Sequence, residues 1–318
     1  MHPSKYSLVV PVYNEETCIE PMVRRIAEVM KPIEGDYELI FVNDGSRDGT
    51  LAAIQRAADA DSRVRHVTFS RNFGHQVALA AGIEHASGDA VISLDGDLQH
   101  PPELIPTLIQ YWSQGYEVVY TVRVANTGHR LKEFVSRAFY WLLRRLTGVE
   151  VPTGGADFRL LDRKVVEAFR ECDERFIFVR GLVPWLGFKR KGVPYEAHER
   201  YNGKTKYVAS RMLSFALDGI FSFSIVPLRL IALLGAVTVA LGIAYGAYTV
   251  FVWLFSSTVS GWASLVVIVL VFSGTQLLSL GILSEYVGRI YEEVKHRPRY
   301  VVASMSPSLH DTKKRRTR

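Results

Sequence analysis

Ala90-Val91-Ile92-Ser93-Leu94-Asp95-Gly96-Asp97-Leu98-Gln99-His100 is the stretch on which the fold turns. A short apolar run, preceded by Gly88-Asp89, ends in two carboxylates around a glycine. Its length and composition are those of a buried strand. Carboxylates are costly to bury unless paired or metal-bound. Here they fall at the strand's end, where Gly96 is expected to let the backbone turn and bring both side chains to one point. Open α/β sheets bind ligands at the carboxyl ends of their strands. Two hard oxygen donors suit Mg²⁺ or Mn²⁺, which take one or two carboxylates together with substrate phosphates.

Outward from this stretch the same pattern repeats. Strands are expected at Tyr6–Val12, Tyr37–Val42, Arg65–Phe69 and Val118–Thr121, with helices to about Met30, over Thr50–Ala60 and to about Ala86. Pro101-Pro102 opens the next helix at a position where proline is tolerated. Strands alternating with helices of this length predict an α/β fold with a doubly wound, mostly parallel sheet. Glu15, Asp44, Arg71, Asp95 and Asp97 all fall just past strand ends. No G-x-G-x-x-G follows the first strand. Gly203-Lys204-Thr205 resembles a P-loop tail, but its first glycine is replaced by His198 and no strand precedes it, so neither common nucleotide signature is present.

The chain has 318 residues, a formal net charge of +6 and two cysteines, Cys18 and Cys172, without metal-ligand spacing. The apolar run Leu8–Val12 is too short for a signal peptide. Residues 228–255 are almost wholly apolar and 262–284 carry no charge, each long enough to cross a hydrocarbon core of about 20 residues. Lys204, Lys206, Arg211 and Arg229 precede them; Arg289, Lys295, Arg297 and Arg299 follow. The positive-inside rule then places both flanks in the cytoplasm and the connector Ser256–Gly261 outside. The expected organisation is a catalytic domain over 1–207, an interfacial amphipathic helix over 208–227, two transmembrane helices over 228–285, and a basic cytoplasmic tail over 286–318 ending Lys313-Lys314-Arg315-Arg316-Thr317-Arg318.

The blocks PVYNE (11–15), VNDGS (42–46), SRNFGHQ (70–76), DGDLQHPPE (95–103), DFRLLDR (157–163), RYNGKTKY (200–207), EYVGRIYEEV (285–294) and RPRY (297–300) together resemble glycosyltransferase family 2. Within it they are similar to the membrane-bound polyisoprenyl-phosphate glycosyltransferases, which include dolichol-phosphate mannose synthase. The resemblance covers nearly the whole chain. It implies a GT-A fold, a nucleotide-diphosphate sugar donor, a divalent metal, Mg²⁺ or Mn²⁺, and a polyprenyl phosphate acceptor.

It also implies roles for particular residues. Pro11, Tyr13, Glu15 and Asp44 line the nucleoside pocket, with Arg71, Asp95 and Gly96 completing the nucleotide-sugar site. Asp97 is the direct metal ligand, Asp95 contacts the ion or the donor sugar, and Gln99 is a further oxygen contact. A lipid monophosphate is nearly dianionic at neutral pH; it needs cations to hold it in line more than a base to activate it. Arg123, Lys132 and Ser136 are the candidates, the last two sharing a face of the helix expected over Arg130–Leu146. Lys132 stands where dolichol-type enzymes carry Arg, so a bidentate grip is not expected there. Asp157 and Arg159 lie two apart on an expected strand, hence on one face. Asp157 is the candidate base or orienting group, and Arg159 a further acceptor-phosphate contact. Arg200 and Lys206 flank Gly203 in a loop expected to close on the phosphates.

The expected reaction is inverting transfer of one sugar to undecaprenyl phosphate at the cytoplasmic face of the inner membrane. UDP-glucose is the favoured donor; N-acetylglucosamine, mannose and a modified arabinose are alternatives. A processive synthase is disfavoured by the missing Q-x-x-R-W block, and a flippase by spans lacking polar residues beyond Ser, Thr and Gln276. A non-catalytic nucleotide-sugar-binding scaffold is the rival from another class. Gly235, Gly242 and Gly246 allow close helix contact, so a homo-oligomer is expected. No nucleic-acid partner is expected.

Overall fold

The structure is a computed structural model that describes residues 5–124, 145, 155–172, 174–175, 177–196, 224–255, 261–307 and 309. The expected Arg130–Leu146 helix, apart from Arg145, the 200–207 loop and the 208–223 part of the interfacial segment lie outside the described residues. So, therefore, do Lys132, Ser136, Arg200 and Lys206.

The described residues form two compact units, one up to residue 196 without Arg145 and again from Pro298, the other comprising Arg145 and residues within Leu213–Arg297. The first is built on an 8-stranded sheet. In chain order its strands are β1 (Lys5–Val12), β2 (Asp36–Asn43), β3 (Val64–Phe69), β4 (Ala90–Ser93), β5 (Val118–Arg123), β6 (Gly155–Asp162), β7 (Arg190–Tyr195) and β8 (Val302–Met305). Across the sheet the order is β7-β5-β6-β4-β1-β2-β3-β8. All run one way except β6, antiparallel to β4 and β5, and β8, antiparallel to β3.

β1 is buried along almost its whole length, as an apolar strand covered by helices on both faces must be. α1 (Glu16–Met30) lays Cys18, Ile19, Met22, Ile26 and Met30 into that core at helical spacing. Each such aliphatic side chain contributes about 1.5–3 kcal/mol on burial. α2 (Thr50–Ala60), α3 (His75–His85) and α4 (Ile105–Ser113) supply the crossovers between parallel strands. α5 (Arg163–Glu171) and α6 (Val179–Trp185) follow β6, and Asp162 caps α5 by accepting from the Lys164 N–H at 2.9 Å.

The expected carboxy-terminal organisation differs in two respects. The helical unit holds α7 (Val226–Phe255) and α8 (Trp262–Val294), so the second helix runs well beyond the uncharged stretch that ends at residue 284. Beyond it, the segment expected to be a tail forms β8, which closes the β3 edge of the sheet. Arg299 pairs with Glu84 at 2.7 Å, Tyr300 stacks on Phe69 with ring centres 4.7 Å apart, and Leu309 is fully buried. Of the described helices, Val226–Val252 is long and apolar enough to cross a membrane by length and composition.

Candidate active site

Parallel strands bring their carboxyl ends to one edge, and β1, β2, β4 and β5 end there in Val12, Asn43, Ser93 and Arg123. Because β6 runs the other way, its first residues reach the same edge. Ser93 pairs with Arg159, so continuing that ladder by two residues sets Asp157 opposite Asp95. Ser93 Oγ also donates to the Asp157 carbonyl at 2.5 Å. One antiparallel strand inserted among parallel ones thus joins a carboxylate from the middle of the chain to the aspartates after β4.

Gly96 does not occupy a left-handed conformation; what it supplies is room. A Cβ there would lie 2.5 Å from Val12 Cγ1 and 3.0 Å from the Pro11 carbonyl, so the Asp95-Gly96-Asp97 turn packs directly on the end of β1. Leu98, next along, has φ 61 and a buried side chain. The Asp97 carboxylate accepts from the Gln99 backbone N–H at 3.1 Å and from Gln99 Nε2 at 2.9 Å. Asp95 Oδ1 is buried and makes no hydrogen bond.

Asp44 is 3% exposed. Its two oxygens accept from the backbone N–H groups of Phe73, at 2.6 Å, and Gly74, at 2.9 Å, fixing the loop that opens α3. Burial pushes the Asp44 carboxyl up, against these two donors. Gly45 has φ 66, and a Cβ on it would strike the Arg71 backbone at 2.4 Å. The Arg71 guanidinium lies over the Phe73 ring, 4.3 Å from its centre. Tyr13 is exposed. The Glu15 backbone N–H donates to Thr50 Oγ1, and its carboxylate accepts from Cys18 Sγ at 3.2 Å. Burial, with that bond, pushes the Cys18 thiol up to about 12.

With α3 anchored, His75 and Gln76 face Asp157. His75 Nε2 is 3.4 Å from both Asp95 Oδ1 and Asp157 Oδ2. Gln76 Nε2 donates to Asp157 Oδ2 at 3.2 Å, while its oxygen accepts from the Val179 N–H at the start of α6. Arg180, on α6, grips Asp157 with both Nε, at 3.0 Å, and Nη2, at 2.8 Å. Arg159 adds a contact at 2.9 Å. Burial opposes the charge on Asp157, but Arg180, His75 and Arg159 hold its carboxyl well below the usual range. Desolvation opposes a charge on His75, yet the Asp157 hydrogen bond and the Asp95 charge hold it above the ordinary imidazole value.

These contacts engage two of the expected site residues. Arg159 is buried and bonded to Asp157 and to the Ala156 carbonyl. Spacing put Asp157 and Arg159 on one face but did not say which face is covered. Asp44 is committed to the 73–74 backbone. Arg123 ends β5 at the site's edge and is exposed. His75, Gln76 and His100 fall inside motif blocks that assign them no role, and Arg180, on α6, lies in no motif.

His75, Asp95 and Asp157 present ligand atoms within 4.8 Å of one another. Two guanidinium groups already neutralise Asp157, which does not suit a metal ligand. Asp95, with its unbonded buried oxygen, and Asp97 offer the hard donors that fit Mg²⁺ or Mn²⁺.

Because its folded pKa is raised, the stabilisation His75 contributes is complete below about pH 6.5 and fades as pH climbs through the folded value. In metal-free protein, His75→Gln is therefore expected to melt below wild type at pH 6, with the gap narrowing above about pH 6.5. A gap constant from pH 5.5 to 8.5 would contradict the ion-pair assignment.

Residues 7–170 match glycosyl transferase family 2 and residues 226–290 match the GtrB C-terminal hairpin. The chain is 46% identical over 300 residues to the uncharacterized glycosyltransferase YkcC of Bacillus subtilis (strain 168), covering 94% of this chain and 93% of that protein. It is 40% identical over 300 residues to the bactoprenol glucosyl transferase of Shigella phage SfV, covering 94% and 98%. Among solved structures it is similar to the mannosyltransferase PcManGT from Pyrobaculum calidifontis in complex with GDP-Man and Mn²⁺, at 19% identity and TM-score 0.48, over 92% of this chain and 85% of that one. The aspartates at the strand ends thus lie within a matched family domain, and the chain belongs to glycosyl transferase family 2.

Proposed function

We propose that the protein transfers glucose from UDP-glucose to a polyprenyl phosphate, with inversion, in a single displacement. The observation that carries this reading is the 40% identity, over 94% of the chain, to a bactoprenol glucosyl transferase. Asp95 and Asp97, with Gln99 behind Asp97, would hold a divalent metal against the donor pyrophosphate. When bound, that ion neutralises charge on the departing nucleoside diphosphate. Tyr13 and Glu15 flank the nucleoside, and Asp44 holds the loop beside it. The lipid phosphate is its own nucleophile, so no residue need take a proton from it. Asp157 therefore serves as a positioning anion that aims Arg180 and His75, not as a base; its pKa, well below the usual range, makes it a poor proton acceptor. Arg123, with Lys132, Ser136, Arg200 and Lys206, would grip the phosphates.

The helical unit is read as a membrane hairpin entered and left from the cytoplasmic side. α7 exposes Leu233, Leu241, Ile243 and Phe255, a surface too apolar to face water. Hydroxyls of Thr238, Thr249, Ser279 and Ser284 donate to carbonyls one turn back, as hydrocarbon surroundings require. The last turns of α8 change character, with Arg289 pairing Glu285 and Lys295 pairing Glu292, which suits an aqueous end.

The test is a donor panel. Purified full-length protein is incubated with undecaprenyl phosphate, Mg²⁺ or Mn²⁺, and UDP- or GDP-sugars one at a time. The lipid is then weighed by mass spectrometry. A single added hexose from UDP-glucose is expected. Transfer from another donor alone would replace the sugar assignment, and no lipid product from any donor would remove the acceptor assignment.

A further inference from the structure

We propose that His100 is a positioning residue for the metal-binding turn, holding Asp95 by its backbone N–H. The proposal rests on the reading of Asp95 and Asp97 as metal ligands. His100 is 5% exposed. Its Nδ1 accepts the Asp95 backbone N–H at 3.0 Å. An accepting Nδ1 leaves the ring proton on Nε2, and Nε2 lies 3.6 Å from Asp95 Oδ2. The ring therefore fixes the backbone from which the Asp95 side chain starts, while Oδ1 is without a hydrogen bond.

The ring itself is clamped. It stacks on Phe158, with centres 5.4 Å apart and planes at 25°, and meets Tyr195 edge-on at 5.8 Å. Phe158 follows Asp157 directly in β6, so the clamp ties the turn after β4 to the strand that carries the buried anion. The span from Asp95 to His100 includes Leu98 at φ 61, a conformation that persists only where the surroundings impose it. Without an acceptor the Asp95 N–H must find another partner, and the turn can relax away from the position a metal requires. Groups behind metal ligands typically govern affinity by about 10–100-fold.

The experiment measures Mn²⁺ binding to the full chain in mild detergent with UDP present, from the paramagnetic resonance signal of the free ion. His100→Asn places an amide oxygen near the Nδ1 position and restores the acceptor without the ring. His100→Phe keeps the ring and its stacking but removes the acceptor. The Asn variant is expected to bind Mn²⁺ nearly as wild type does, and the Phe variant about 10–100-fold more weakly. In the transfer assay the Phe variant's loss should be recovered by raising Mn²⁺. If Phe binds as tightly as Asn, or more tightly, His100 merely packs and the proposal fails. Should the Phe variant not accumulate folded, His100→Leu, which also lacks an acceptor, is ranked against Asn in its place. A wild-type chain that binds no Mn²⁺ with UDP would remove the metal reading and this proposal with it. Binding by wild type with the Phe-over-Asn order would remove the proposal alone.

Discussion

Asp97→Asn is expected to lower sugar transfer at least about a hundredfold while leaving the fold intact. Lewis-acid stabilisation of a leaving diphosphate is worth several kcal/mol, and each 1.36 kcal/mol is about a factor of ten in rate. The substitution removes the charge that would hold the ion. Asn keeps an oxygen for the Gln99 backbone N–H, and the Gln99 amide can turn to offer its oxygen where it now donates to Asp97 Oδ2. The check is lipid product per unit time beside the thermal midpoint of the same preparation. A variant with a wild-type rate would mean that the turn does not carry the metal. A rate loss matched by a collapsed midpoint would mean that Asp97 is structural.

Asp157→Ala is expected to do both kinds of damage. It leaves Arg159, which is 5% exposed, without its counter-ion, and it frees Arg180 from a two-point grip. Removing one member of a buried pair costs about 3–5 kcal/mol because the other charge stays behind. Chemical denaturation at pH 7 should register that loss, and transfer should be abolished as Arg180 and His75 lose their common anchor. The sign of the pH dependence follows from the lowered Asp157 pKa. Its stabilisation is complete above about pH 4 and lost as pH falls through the folded value. The gap between wild type and variant should therefore close on acidification and hold at neutral pH. Asp157→Asn is the sharper probe of chemistry. If it retains substantial transfer, the charge of Asp157 is dispensable and the positioning role is wrong.

The strands that carry the site were legible because their apolar runs stop abruptly in polar residues, and a run such as Ala90–Leu94 has few ways to be buried. β7 and β8 were not legible. β7 is RKGVPY, basic, with Gly192 and Pro194, and it takes an edge place where such residues are tolerated. β8 has four residues inside a stretch whose charge suggested a tail. Within the site, both aspartates of the turn were found by pattern, but their supports were not. His75 and Arg180 meet Asp157 beside Asp95 only because an antiparallel β6 sits between β4 and β5, and local spacing contains no trace of that order. The same limit explains Arg159, since alternation along a strand gives two faces without saying which one the next layer covers.

The eighth strand also constrains the order in which the molecule can be made. His66 and Ser306 bond to each other's backbone or side chain from 240 positions apart. A ribosome releases β3 well before β8, with α7 and α8 emerging in between. Until then β3 is a bare edge, its amide and carbonyl groups open to any other strand. The nascent sheet must wait through synthesis of two long apolar helices before β8 arrives to seal it. Chains halted before residue 302 would carry that open edge permanently and should aggregate through it.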